Sequence, residues 1–280
     1  MIIAISGRIG SGKDTVGSII QYLMEYPTSL DKTDHVNRSY NSFVMDIGMG
    51  SNPKWKIKKY AAKLKQTASL LTGIPVEDME KQEVKDKELG EEWWFYTDDN
   101  DCIKIPYPAT KADLKLLDGY NTVLVKPTLR WFLQNLGTEA IRNNIHTNAW
   151  VNALFADYKP VKKKVRYPED DTDEYVSELP NWIITDLRFP NEYEAVKQRG
   201  GICVRVERDT PCSVCKLTKA ERRGAICKEI TCPSGRPLHP SEIALDNHNF
   251  DFTIENSGTL EDLKVEVRLL VHTLKQMKLI

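Results

Sequence analysis

Apolar residues Ile2 to Ile5 form a short run that stops at Ser6-Gly7, glycines follow at 7, 10 and 12, and an amphipathic stretch runs from Asp14 to Glu25. This pattern predicts a strand, a glycine loop and a helix. Pro27 to Pro53 is rich in Ser, Asn and Asp and reads as a loop with a short strand near Ser42 to Met45. From Trp55 to Leu71, Tyr60, Ala61, Leu64, Ala68 and Leu71 recur at helical spacing, and Gly73 with Pro75 ends the pattern. Lys81 to Glu92 alternates charges of both signs and predicts an exposed helix. Trp93 to Tyr96, a polar turn and Cys102 to Pro106 read as a hairpin. Thr110 to Gly119 reads as helical and Thr122 to Val125 as extended. A helix at Leu129 to Leu136 passes through Gly137 into Thr138 to Asn143, and another runs from Thr147 to Ala156. Lys159 to Leu179 has no apolar period and switches from a basic to an acidic run, which predicts a mobile loop.

Trp182 to Thr185 reads as a buried strand ending at Asp186. Asn191 to Arg199 follows as a helix stopped by Gly200-Gly201, and Ile202 to Val206 as a second buried strand. Such a βαβ unit implies parallel pairing and a right-handed crossover. Phe252 to Glu255 and Leu260 to Leu274 supply a last strand and helix. No internal repeat is visible. The fold class expected is α/β, a parallel sheet flanked by helices.

At 280 residues and 41% hydrophobic content the chain can bury a substantial core in one large or two small domains. The 39 Lys+Arg against 40 Asp+Glu argue against a basic coat for nucleic acid, so phosphate binding has to be local. No apolar run approaches the roughly 18 to 20 residues of a membrane span, and the start, interrupted by Arg8 and Lys13, does not read as a signal peptide. The expectation is a cytoplasmic protein with small-molecule partners, no membrane and no stable nucleic-acid complex.

Gly7-Arg8-Ile9-Gly10-Ser11-Gly12-Lys13 has the glycine spacing of a Walker A loop, set between a predicted strand and a predicted helix as that motif requires. Such glycines let backbone N–H groups turn inward around a phosphate. The helix N-terminus adds partial positive charge, and Lys13 reaches the β- and γ-phosphate oxygens. Gly10, Ser11, Gly12, Lys13, Asp14 and Thr15 are the candidate nucleotide-binding residues. Asp14 stands where a Ser/Thr hydroxyl usually holds Mg²⁺. It could hold a metal-bound water or act near an acceptor phosphate. Its plain structural role is a helix N-terminal carboxylate, worth about 0.3–1 kcal/mol.

Asp186-Leu187-Arg188 ends a predicted parallel strand, where the crevice of an open sheet lies, and Glu192 follows one helical turn on. Asp186 reads as a Walker-B-like group and Arg188 as a neutraliser of phosphoryl charge; the alternative is a surface salt bridge. Lys13, Asp14, Asp186 and Arg188 are the catalytic candidates. Arg130, Gln134, Gly137, Thr138, Glu139 and Arg142 fall in one predicted helix–turn–helix, with residue types suited to an acceptor's phosphate and base. A solvated helix face fits them equally.

Together, residues 7–15, Leu-Gln-Asn-Leu-Gly-Thr-Glu (133–139) with Arg142 and Trp150, Trp-Ile-Ile-Thr-Asp-Leu-Arg-Phe-Pro-Asn-Glu (182–192), Gly-Gly-Ile-Cys-Val-Arg-Val (200–206) and His-Pro-Ser-Glu (239–242) resemble the bacteriophage-type deoxynucleoside monophosphate kinases. The tail at 251–263 is similar to the closing strand and helix of that family and of the dephospho-coenzyme A kinases. The resemblance implies a P-loop, nucleoside monophosphate kinase-like fold over 1–280 as a single domain, with insertions at about 93–125, 159–180 and 209–238. It implies ATP with Mg²⁺ as phosphoryl donor and deoxynucleoside monophosphates as acceptors. Arg130, Gln134, Gly137, Thr138, Trp150 and Glu192 then serve the acceptor, and Asn256 and Gly258 border the adenine. A host-cytoplasmic location and a homodimer are compatible with it. Kinases of phosphomevalonate, which share a Gly-Lys-Asp loop, or of dephospho-coenzyme A remain alternatives, as does a non-catalytic nucleotide-binding module.

Cys212-x-x-Cys215 and Cys227-x₄-Cys232 form two close pairs. They leave open a Cys₄ Zn²⁺ site or free cysteines. The basic run at Lys162, Lys163, Lys164 and Arg166 could be a lid over ATP or a solvated loop.

Overall fold

Every side chain from Ile2 to Ser6 is shielded from solvent, and the alternation along this strand sends Ile3 and Ile5 to one face and Ile2 and Ala4 to the other. A strand buried on both faces needs helices above and below it, and both layers are present. The computed structural model describes residues 1–26, 39–98, 103–167, 172–208 and 243–280. These divide into two compact units, 1–60 with 151–280, and 61–150.

In chain order the elements begin with β1 (Ile2–Ser6), α1 (Lys13–Glu25), α2 (Tyr40–Gly48) and β2 (Trp55–Lys58). Next come α3 (Tyr60–Thr72), α4 (Gln82–Lys85), β3 (Phe95–Thr97), β4 (Lys104–Pro106), α5 (Lys111–Leu114), β5 (Val123–Val125), α6 (Leu129–Gln134) and a π-helical segment (Asn135–Asn143). The chain closes with α7 (Ala149–Phe155), β6 (Val161–Tyr167), β7 (Thr172–Glu178), β8 (Asn181–Leu187), α8 (Pro190–Lys197), β9 (Ile202–Glu207), β10 (Phe252–Glu255) and α9 (Leu260–Gln276).

The first unit is built on a five-stranded sheet in the order β10-β9-β1-β8-β2, with parallel pairing throughout, as the βαβ pattern predicts. On one face, Val16, Ile19, Ile20 and Leu23 of α1 pack with Val267, Leu270, Val271 and Leu274 of α9. On the other, Val151, Leu154 and Phe155 of α7 and Ala195 and Val196 of α8 cover Ile2, Ala4, Trp182 and Ile184. Each large side chain so buried contributes about 1.5–3 kcal/mol. The chain leaves β1 toward α1 and returns to its two sides through β8 and β9, so a topological switch point lies at the C-terminal end of β1, where open α/β sheets bind ligands.

One irregularity sits at that end. Ala4 pairs with Ile184 but Ser6 with Leu187, so Thr185 and Asp186 together oppose one residue of β1. This bulge, uncommon in parallel sheets, re-aims two consecutive side chains.

Several expectations are corrected. The strand near Ser42 to Met45 is instead α2, because Ser39 caps it by accepting from the Ser42 amide (3.2 Å) and Phe43 buries against Tyr22 and Tyr26. The helix expected from Trp55 starts only at Tyr60; residues 55–58 form an edge strand whose Lys56 and Lys58 suit an exposed margin. Residues 159–180, expected as a mobile loop, carry β6 and β7 paired antiparallel. The basic run lies on β6, and the end of the acidic run, Asp173 and Glu174, lies on β7, with Lys163 in register with Val176 and Arg166 with Asp173.

In the second unit the expected hairpin is present as β3 and β4, and β5 adds a third antiparallel strand. Ala68, Met79, Leu89 and Leu129 form its core with Trp93 and Phe132 packed against it. The expected long helix at 81–92 is confined to α4 and a turn at 91–93, in keeping with its lack of an apolar face. Gly137 makes no turn: α6 runs directly into the π-helical segment. Among the described residues, no helix is long and apolar enough to cross a membrane.

Candidate functional site

The loop after β1 is shaped by its glycines. Gly10 (φ 76°) and Gly12 (φ 94°) adopt left-handed backbone that L side chains rarely take, and a Cβ on Gly12 would collide with the Asn256 amide. Asn256, expected at the adenine, is buried and donates from Nδ2 to the Ser11 carbonyl (2.8 Å). Its own amide is held by Glu207 O (2.7 Å), so β9 and β10 buttress the loop. The Ser11 hydroxyl is buried without a hydrogen-bond partner, unusual for a polar group and suited to an anion in the loop. Lys13 folds back, donating to Gly7 O (2.6 Å) and Arg8 O (2.7 Å). Thr15 is half-buried in the first turn of α1.

Asp14 leans toward the sheet. Its Oδ1 accepts from Thr185 Oγ1 (2.6 Å) and pairs with Lys59 Nζ (2.9 Å). Although the Asp14 side chain is largely exposed (69%), its partial desolvation would raise its pKa, but the Thr185 hydroxyl, Lys59 and Lys13 outweigh that and hold the carboxyl below its usual range. The β8 bulge thus delivers Thr185 to Asp14 while the next residue, Asp186, accepts the Tyr60 amide on Oδ1 (2.8 Å) and is itself buried. Burial and the charges of Glu192 and Asp186 push the Tyr60 phenol far above its ordinary range, so its hydroxyl stays a donor, here to Glu192 O (3.3 Å).

Arg188 is half-buried just past β8. Glu192, expected at the acceptor, is buried, and its Oε2 accepts from the Arg188 and Phe189 amides (2.9 and 3.1 Å), closing the start of α8. Gly258 precedes the Thr259–Asp262 capping box of α9.

Three arginines that were not among the site candidates, one in the loop and two beside it, join its surroundings. Arg8 Nη2 (2.7 Å) and Arg205 Nη2 (2.6 Å) bind the two oxygens of Asp246, Arg205 Nη1 also reaches Ser6 Oγ (3.2 Å), and Arg208 Nη1 donates to Gly10 O (3.5 Å). Arg205 carried a signal, a lone charge inside the apolar run of β9. Asp246 and Lys59 carried none.

The remaining candidates belong to the second unit, described by itself. Arg130 donates from Nε to Asp86 Oδ1 (2.7 Å), which holds the Asp86 carboxyl below its usual range, and its Nη2 is buried without a partner. Gln134 is exposed and Thr138 half-buried. Gly137 is buried so tightly that a Cβ would lie 2.9 Å from Leu64 Cδ2. Trp150 Nε1 donates to Gly137 O (2.8 Å), so this indole fastens the π-helical segment. Cys212, Cys215, Cys227, Cys232 and the 239–242 stretch lie outside the described residues; among those described, no group of three or more His, Cys, Asp or Glu gathers as a metal site.

No protein-family model matches the chain, and no curated protein matches it.

Proposed function

We propose that the protein is an ATP-dependent kinase that phosphorylates deoxynucleoside 5'-monophosphates to the diphosphates. The observation that carries this reading is the Gly10–Asp14 turn at the sheet's switch point: two left-handed glycines, a buried unpartnered Ser11 hydroxyl and Lys13 at the N-terminus of α1. The acceptor class rests on the sequence resemblance, and Arg130 supports it with a guanidinium nitrogen that lacks a partner.

Catalysis would be positioning and electrostatics, since phosphoryl transfer asks little covalent chemistry of a protein. Lys13 leaves its two carbonyls for phosphate oxygens, the α1 N-terminus and loop amides hold the remaining negative charge, and Arg188 neutralises charge on the moving group. Asp14 and Asp186 are the carboxylates that would hold water bound to Mg²⁺, an ion that when present offsets phosphate charge.

The test is ADP release from ATP and Mg²⁺ by the purified protein, offered dGMP, dTMP, dCMP, dAMP, their ribo counterparts, phosphomevalonate and dephospho-coenzyme A in parallel. Turnover confined to deoxynucleoside monophosphates supports the proposal and names the base. Turnover with either of the last two reassigns the acceptor, and ATP binding without turnover points to a regulatory nucleotide-binding module.

A further inference from the structure

An aspartate directly after the loop lysine poses an electrostatic problem. It places a full negative charge in the first turn of α1, beside the spot where a polyphosphate has to approach, and two like charges a few ångströms apart repel appreciably even in a partly solvated site. The sheet supplies a countermeasure. Register of Lys58 with Ile184 sets Lys59 level with Thr185 at the C-terminal ends of two neighbouring parallel strands. The hydroxyl of Thr185 (2.6 Å) and the ammonium of Lys59 (2.9 Å) then converge on one oxygen of Asp14.

We infer that Lys59 is a positioning residue of the phosphate site, a built-in counter-ion that turns Asp14 toward β8 and cancels its charge, so that an anionic phosphate chain is admitted to the loop. With Lys59 in place, Lys13, Asp14 and Lys59 sum to the single positive charge that a neutral hydroxyl at position 14 would leave. Without Lys59, Asp14 and Lys13 cancel, and the helix N-terminus is left with only the more distant arginines around the loop to favour an anion. The inference rests on the phosphate-loop reading and not on the identity of the acceptor.

The experiment is calorimetric binding of ATP, and separately of inorganic pyrophosphate, in chelator so that no divalent metal takes part. It compares the unaltered protein with Lys59→Met, Lys59→Arg, Asp14→Asn and the double variant Lys59→Met/Asp14→Asn. Thermal melts establish that each is folded; the Lys59 side chain is about one-third exposed (31%), so its loss should be tolerated. Lys59→Met is expected to weaken both ligands about tenfold. Lys59→Arg should stay within about threefold of the parent, and Asp14→Asn should abolish most of the Lys59→Met loss in the double variant. A tenfold loss that persists in the Asp14→Asn background would mean Lys59 acts on the phosphate directly and would overturn the inference. Unchanged binding by Lys59→Met would also overturn it. If the parent protein binds neither ATP nor pyrophosphate, the phosphate-loop reading itself falls and this inference falls with it.

Discussion

The loop at 7–14 and the segment at 129–143 both present polar residues at fixed spacing, but they spend them differently. In the loop, the backbone carries the shape: Gly10 and Gly12 supply the turn, and the side chain of Ser11 is left without a partner. In the segment, much of the polar chemistry is turned inward. Asn135 Nδ2 returns to Trp131 O (2.9 Å), Trp150 holds Gly137 O, and Arg130 is anchored on Asp86. A buried polar atom without a partner marks a place where a ligand's group can enter, and in this segment that atom is Arg130 Nη2.

This contrast can be broken by substitution. Lys13→Ala and Arg188→Ala are expected to lower kcat at least about 10²-fold with unaltered melting temperature; near-normal steady-state turnover would remove the corresponding residue from the mechanism. Gly137→Val, by contrast, should register as lost stability of about 2 kcal/mol in denaturant unfolding, because its side chain enters space held by Leu64. Arg130→Ala sharpens the comparison: KM for the acceptor should rise about tenfold while KM for ATP stays put, and a change in stability alone would make the whole segment structural. Trp150→Phe keeps the ring but removes the donor to Gly137 O, and should cost about 1 kcal/mol of stability with little change in KM.

The parts of this molecule legible in its sequence are those whose cause is local. Strand β1, the glycine turn and α1 follow from an apolar run, three glycines and a helical period within 25 residues. The β8–α8–β9 unit is equally readable. Lys59 was hidden because it ends a lysine-rich stretch at 54–59 and the helical spacing of Tyr60, Leu64 and Ala68 masks the strand before it. Asp246 was hidden because its importance comes from pairing with Arg8, 238 residues away in the chain. Thr185 looked like one more strand residue, since a bulge between parallel strands leaves no mark in composition. The ribbon at 161–178 escapes the pattern for a related reason: its strands pair with each other alone, and charged residues on both leave no apolar period to read.

The folded-back lysine has a thermodynamic consequence. Because Lys13 donates to two carbonyls of its own loop, a phosphate taken up there exchanges partners with the protein as well as with water. The heat released on binding is therefore a difference between two sets of strong contacts. A tight complex formed here can show a small enthalpy, and a weak calorimetric signal should not be mistaken for weak affinity.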